Sequence, residues 1–193
     1  MVDRILVING HPDARSERLC SALADAYVRG AHRAGHEVRR IDVGQLDFPL
    51  IRSQADFTQG APPPVVAEAQ ASLKWANHLV FIFPLWIGGP PALLKGFLEQ
   101  VFRYGVALSG SDSHVQGLLK GRSARMIVTM GMPAAVFRLV FGGYGLKSLT
   151  RGLLWISGVG PIRSTVLGGV EAVAPSRREG WLRKVEALGA SAS

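Results

Sequence analysis

The sequence predicts an α/β fold: a five-stranded parallel sheet, in the probable order 2-1-3-4-5, with helices on both faces. Short apolar runs alternate five times with longer segments of helical periodicity, as in folds that connect parallel strands by helices. Each run is apolar nearly throughout, which is typical of strands covered on both sides. The 193 residues fit one domain over 1–193 with a full core.

The first third of the chain supplies two strands, a helix and a long irregular segment. Residues 4–9 form the first strand and 37–43 the second. Between them, a helix is expected to be capped by Ser16 and to end at Gly35. The apolar side chains within 46–64 predict an ordered lid rather than a linker.

The middle of the chain contains the stretch around which the site is organised. A helix over 65–76 leads to a third strand over 79–83, which Pro84 ends because proline has no amide for the sheet. A loop over 85–89 follows, with one large ring and two glycines. A helix then begins near Pro91 and continues to 104.

The last part of the chain completes the sheet. A mixed loop over 105–120 precedes a fourth strand over 124–130. An apolar, glycine-interrupted stretch covers 134–156, and a fifth strand covers 161–170. The closing amphipathic helix begins at Ser176, its expected cap, and runs to 188.

Composition excludes several functional classes. The chain is 48% hydrophobic and 19% charged, so we expect a folded protein rather than a disordered one. Its net charge is +8, but no aromatic platform or helix-turn-helix spacing accompanies the arginines, so nucleic-acid binding is not expected. The uncharged stretch 75–94 is interrupted by prolines and glycines, which argues against an integral membrane protein.

Cysteine usage and the start of the chain indicate a cytoplasmic protein. Cys20 is the single cysteine, cannot form an internal disulfide, and is interpreted as a small core side chain. Asp3 and Arg4 precede a short strand-like run, which does not have the pattern of a signal peptide.

The predicted site lies where the loops after strands one, three and four meet at one edge of the sheet. The first loop lacks the G-x-G-x-x-G pattern, but it places Ser16 and free amides at a helix start, where a phosphate is favoured. His11, Arg15 and Arg18 add donors. The alternative is a capping serine with surface arginines.

The third loop has a separate chemistry. Its glycines let backbone amides approach a flat ligand, and Trp86 can stack on that ligand or border it. The alternative is an ordinary turn between a buried strand and a helix.

With these motifs the chain resembles the flavodoxin-like NAD(P)H:quinone oxidoreductases, two-electron reductases that hold a flavin. The similarity covers about 4–188. It is carried by His11-Pro12 with Ser16, by Phe83-Pro84-Leu85-Trp86 through Leu94-Lys95-Gly96, and by Thr129-x-Gly131.

The resemblance implies a flavin, FAD or FMN, with NAD(P)H as the electron donor and a quinone-like molecule as the acceptor. It assigns cofactor-binding roles to three loops. The residues near the flavin phosphates would be His11, Ser16, Glu17 and Arg18. Those bordering the ring would be Pro84, Leu85, Trp86 and Ile87, and those at the pyrimidine edge Thr129, Met130, Gly131 and Met132.

Several positions depart from the family pattern. A tyrosine expected eight positions after Thr129 is Phe137, which leaves Tyr144 as the candidate catalytic donor to the reduced flavin; the alternative is an aromatic residue at a helix end. Val106 and Leu108 replace aromatic residues of the substrate pocket. Together with Phe137 they would line a wider, aliphatic acceptor pocket.

Two functions from different classes remain. The first is a flavin-dependent NAD(P)H oxidoreductase acting on a quinone or related electrophile. The second is a flavin-binding regulatory subunit of a membrane transport system, since such proteins share this fold. The apolar segment 136–156 could face a membrane surface or a partner, but the resemblance implies a homodimer interface there.

Overall fold

The computed structural model describes residues 2–111 and 114–193. The strands are β1 (Arg4–Asn9), β2 (Glu37–Asp42), β3 (His78–Pro84), β4 (Leu108–Ser111), β5 (His114–Gly117), β6 (Ser123–Met130) and β7 (Ile162–Gly168). The central sheet is parallel and has the order β2-β1-β3-β6-β7, and a small antiparallel hairpin of β4 and β5 accompanies it. Counting only the parallel strands, this is the predicted order.

Helices cover both faces of the sheet. The helices are α1 (Leu19–Arg33), α2 (Gln54–Thr58), α3 (Pro64–Trp75), α4 (Ala92–Val101), α5 (Ala134–Leu139), α6 (Tyr144–Leu149) and α7 (Pro175–Ala190). α1 and α7 pack on one face, while α3 and α4 pack on the other. A 3₁₀ turn spans Val43–Gln45 and a π-helical turn spans Thr150–Trp155. None of the helices in the described residues is both long and apolar enough to cross a bilayer.

The alternation of side chains along the strands divides the core into two layers. In β3, Leu79 and Phe81 pack against the α3 and α4 side, while Val80 and Ile82 pack against α1 and α7. All of these side chains are buried, which explains why the central strands are apolar at every position rather than at every second one.

Two glycines bring α1 and α7 into backbone contact. A Cβ on Gly30 would lie 1.9 Å from the Glu186 carbonyl oxygen, and a Cβ on Gly189 would lie 2.0 Å from the Tyr27 carbonyl oxygen. Any side chain at either position would push the helices apart. The first and last helices of the fold therefore pack as close neighbours.

Two predicted helix caps are wrong. α1 begins at Leu19 with Arg18 at its N-cap, so Ser16 lies in the preceding turn and caps nothing. α7 begins one residue before Ser176 because Pro175, with its fixed φ, takes the first helical position.

Two connections contain more structure than predicted. The helix after β3 ends at Val101, and the segment 105–120, predicted as a loop, contains the β4–β5 hairpin. Within 46–64, the short α2 begins with a reciprocal capping box between Ser53 and Asp56. This helix makes part of the predicted lid regular.

Candidate functional site

A cavity of about 330 Å³ lies at the carboxyl edge of the sheet, where loops from four strands meet. Eight of the twelve predicted cofactor-binding residues line it, while Ser16, Glu17, Ile87 and Met132 lie outside the lining. The lining residues are His11, Arg18, Leu19, Cys20, Pro84, Leu85, Trp86, Thr129, Met130, Gly131, Val170 and Glu171.

The loop after β1 is held by the buried side chain of Asn9. This side chain accepts a hydrogen bond from the His11 amide (3.3 Å) and donates one to Asp42 (2.8 Å). The amide of Asp13 donates to His11 Nδ1 (3.0 Å), so the neutral ring carries its proton on Nε2. Burial lowers the pKa of His11, which favours this neutral form with one free N–H donor.

Asp13 holds both arginines of the same loop. Its carboxylate lies 2.6 Å from Arg15 Nη2 and 2.5 Å from Arg18 Nη2. Hydrogen bonds from the amide and side chain of Arg15 lower the pKa of Asp13. Counting these three side chains, the loop carries one net positive charge. The amides of Ser16 and Glu17 have no acceptor within the described part of the chain.

The loop after β3 is a tight two-residue turn. The amides and carbonyls of Trp86 and Gly89 exchange hydrogen bonds of 2.9 and 3.0 Å. Ile87 and Gly88 between them both have positive φ (46° and 78°), as a type I′ turn requires. Trp86 is about half exposed (49%), and its ring meets the His11 ring edge to face at 5.9 Å. Trp86 therefore borders the cavity, whereas the turn presents Ile87 to solvent.

α6 supports this turn from outside the cavity. A Cβ on Gly145 would lie 1.7 Å from the carbonyl oxygen of Gly88, so the two backbones are in direct contact. The position of Trp86 therefore depends on a helix that contributes no residue to the cavity lining.

The end of β6 forms the opposite wall. The Leu85 amide donates to the Thr129 carbonyl (2.7 Å), which ties this wall to the Trp86 turn. Thr129 Oγ1 lies 3.5 Å from the Sγ of Cys20, and burial raises the pKa of Cys20 to about 11, so this thiol stays protonated. The amides of Gly131 and Met132 have no acceptor in the residues that the structure describes.

The loop between β7 and α7 is the part of the site that sequence reasoning missed. Its Gly169 amide donates to the Met132 carbonyl (3.1 Å) and its Val170 amide to the Met130 carbonyl (3.2 Å). These bonds bring Val170 and Glu171 into the lining. The sequence did contain a signal for it, because this loop also follows a parallel strand and therefore lies at the same edge of the sheet.

The predicted catalytic and substrate-pocket residues do not join this cavity. Tyr144 is 74% exposed, with its ring 5.2 Å from the Lys147 ammonium. Phe137 is buried in the core rather than open to a pocket, and Val106 is half-buried. Leu108 lines a second cavity of about 530 Å³, which lies between the lid, α4 and the π-helical turn.

The geometry suits an anionic ligand that carries a flat ring. Backbone amides with no acceptor among the described residues are available at the α1 end and at the Gly131 end, and the apolar side chains of Pro84, Leu85 and Trp86 lie between them. Among the described residues, no group of three or more His, Cys, Asp or Glu side chains could hold a metal ion.

Comparison with known proteins agrees with this architecture. A family model described as a flavodoxin-like fold matches residues 3–189. A ribosyldihydronicotinamide dehydrogenase-like protein of Penicillium crustosum is 30% identical over 155 residues, which cover 66% of this chain and 57% of that relative. The rat NAD(P)H dehydrogenase [quinone] 1 is 25% identical over 217 residues, covering 97% and 78%.

A solved structure has the same fold. The NAD(P)H:quinone oxidoreductase of Methanothermobacter marburgensis superimposes with a TM-score of 0.83 at 22% identity, covering 99% of this chain and 97% of its own.

Proposed function

We propose that this chain, a member of the flavodoxin-like fold family, is an NAD(P)H-dependent flavoprotein oxidoreductase that transfers two electrons to a quinone or a related electrophile. The relatives support the enzyme class. The cavity at the carboxyl edge, with amide donors at both ends and an apolar wall between them, is the observation that carries the assignment to this site.

The cavity residues fit a flavin. His11 and Arg18, with the amides of Ser16 and Glu17, would hold its phosphate end. Pro84, Leu85 and Trp86 would border the ring, and Thr129, Met130 and Gly131, with the backbone amide of Met132, would face the pyrimidine edge. Ile87, which points to solvent, would at most cover the rim of the cavity. When bound, the flavin supplies the redox chemistry by taking a hydride from NAD(P)H and passing two electrons to the acceptor.

The protein's own contribution is electrostatic. The amides of Gly131 and Met132 are fixed, because Met130 and Met132 accept hydrogen bonds from the β7–α7 loop. Donors fixed before the reaction stabilise charge that develops beside them without reorganisation. Tyr144 is proposed as an additional donor, since α6, at whose start it lies, contacts the Trp86 turn through Gly145.

Absorbance spectroscopy of the purified protein tests the cofactor, and NAD(P)H consumption with a simple quinone tests the reaction. We expect a flavin spectrum and rapid quinone-dependent oxidation of NADH or NADPH. Identification of the extracted flavin by mass decides between FAD and FMN. A protein that shows no flavin absorbance and no thermal shift with either flavin would overturn the proposal.

We also propose that the working enzyme is a homodimer. Leu139, Val140 and Trp155 are exposed on the apolar segment 136–156, and exposed apolar surface of this kind is typical of subunit interfaces. Pairing through this face would bring Val106 and Leu108 toward the partner's flavin, where they could line the acceptor pocket. Light scattering of the eluting protein should give twice the chain mass of 20.7 kDa.

The transport alternative gains no support, since the relatives reported above are named as oxidoreductases. We propose a cytoplasmic location, because the single cysteine remains a free thiol.

A further inference from the structure

We propose that Glu171 is a cofactor-tuning residue: its carboxylate lies at the edge where the reduced flavin becomes negatively charged, and it weakens binding of the reduced form. The inference rests on the proposed function, because it takes the cavity described above as the flavin site.

The position of Glu171 is fixed by backbone contacts. The two preceding residues donate their amides to the carbonyls of Met132 and Met130, at 3.1 and 3.2 Å. The carboxylate lines the cavity beside Gly131, with Oε1 3.4 Å from the place where a Cβ on Gly131 would be. This is an ordinary van der Waals distance, so the Glu171 carboxylate lies directly beside residue 131.

No cation in the described residues forms an ion pair with this carboxylate. Arg18, which also lines the cavity, is held by Asp13. Arg178, close in sequence, donates instead to the Val170 carbonyl at 3.1 Å. Glu171 thus brings a full negative charge to an edge whose other groups are backbone amide donors.

A carboxylate at this edge acts against those amides. Like charges placed close together raise each other's free energy, and the effect grows when a bound ring excludes water. The oxidised flavin ring is neutral, so the carboxylate discriminates between the two redox forms and favours the oxidised one.

The test is the midpoint potential of the flavin-loaded protein, measured by equilibrium reduction against a reference dye. Glu171→Gln keeps the shape and removes the charge. We expect the variant to favour reduced over oxidised flavin about tenfold more than wild type, a rise of about 30 mV for a two-electron couple. Glu171→Asp keeps the charge and should stay close to the wild-type potential.

Glu179→Gln is the matched control. Glu179 lies on α7 with its side chain 68% exposed and 3.7 Å from Arg183, away from the cavity lining. This substitution removes the same charge and should leave the midpoint potential unchanged. A shift as large as that of Glu171→Gln would show that the potential responds only to the net charge of the protein, and would overturn the inference.

Three further outcomes are decisive. An unchanged potential in Glu171→Gln overturns the inference and leaves the proposed function intact. If Glu171→Gln binds oxidised and reduced flavin more tightly by the same factor, the inference is overturned as well, because the carboxylate would then act on the phosphate end of the flavin. A wild-type protein that binds no flavin overturns the proposed function and this inference together.

Discussion

Replacing Gly145 with alanine should weaken flavin binding without adding any group to the cavity. The new Cβ would lie 1.7 Å from the Gly88 carbonyl oxygen, whereas real contacts stay beyond 3.0 Å. α6 and the Trp86 turn must therefore separate by roughly 1 Å or more. Overpacking of this kind costs about 1–3 kcal/mol, which outweighs the gain of about 1 kcal/mol for alanine over glycine in a helix.

Since a shift of about 1 Å in a positioning group can cost up to about 100-fold in function, we expect the flavin Kd to rise about 10-fold, or about 1.4 kcal/mol. Quenching of flavin fluorescence gives the Kd, and urea unfolding gives the stability. Gly180→Ala is the control, because it also lies in a helix and its Cβ meets nothing within 4 Å. Wild-type affinity in Gly145→Ala, with stability equal to the control, would refute the proposed support of the turn.

Three other changes test separate parts of the molecule. Trp86→Ala should raise the flavin Kd about 10-fold with little change in Tm, because Trp86 is a loop residue. A large fall in Tm at unchanged flavin affinity would instead show that Trp86 supports the core. Tyr144→Phe should slow flavin reduction by NAD(P)H about 10-fold in stopped flow at unchanged flavin affinity. An unchanged rate would mean that the backbone amides alone stabilise the negative charge of the reduced flavin. Burial lowers the pKa of His78 from 6.5 to about 4, so in that pH window the unfolded chain binds a proton that the folded chain does not. The free energy of unfolding should therefore fall as the pH falls, by at most about 2 kcal/mol between pH 6.5 and about pH 5. In urea unfolding, the stability of His78→Gln should depend less on pH than that of wild type. The same pH dependence in both proteins would assign the effect to other groups.

The strands and the location of the site could be predicted because both follow from local patterns. A strand buried on two faces must be apolar at every position, as in Leu79 to Phe83. Loops after parallel strands end at the same edge, so the loops carrying His11, Trp86 and Thr129 had to meet.

Contacts between distant positions could not be predicted in the same way. Cys20 and Thr129 are 109 residues apart, and no spacing rule connects them. Glu171 is a lone carboxylate in a loop, and only its neighbour's hydrogen bond to Met130 gives it a place in the site. For Phe137, an apolar pattern predicts burial but does not distinguish a pocket wall from the core, and the structure places it in the core.

The close contact between α1 and α7 has a consequence for how the protein is made. Gly30 is synthesised long before the backbone that packs against it around Glu186. At about 5–20 residues per second, the interval is roughly 8 to 30 s. During that time the apolar side of α1 is not covered by α7, and for most of it the loop carrying Val170 and Glu171 does not yet exist. The complete cavity can therefore bind its cofactor only after this loop has been made, and a cell short of flavin would accumulate an empty protein that lacks the stabilisation a bound ligand provides.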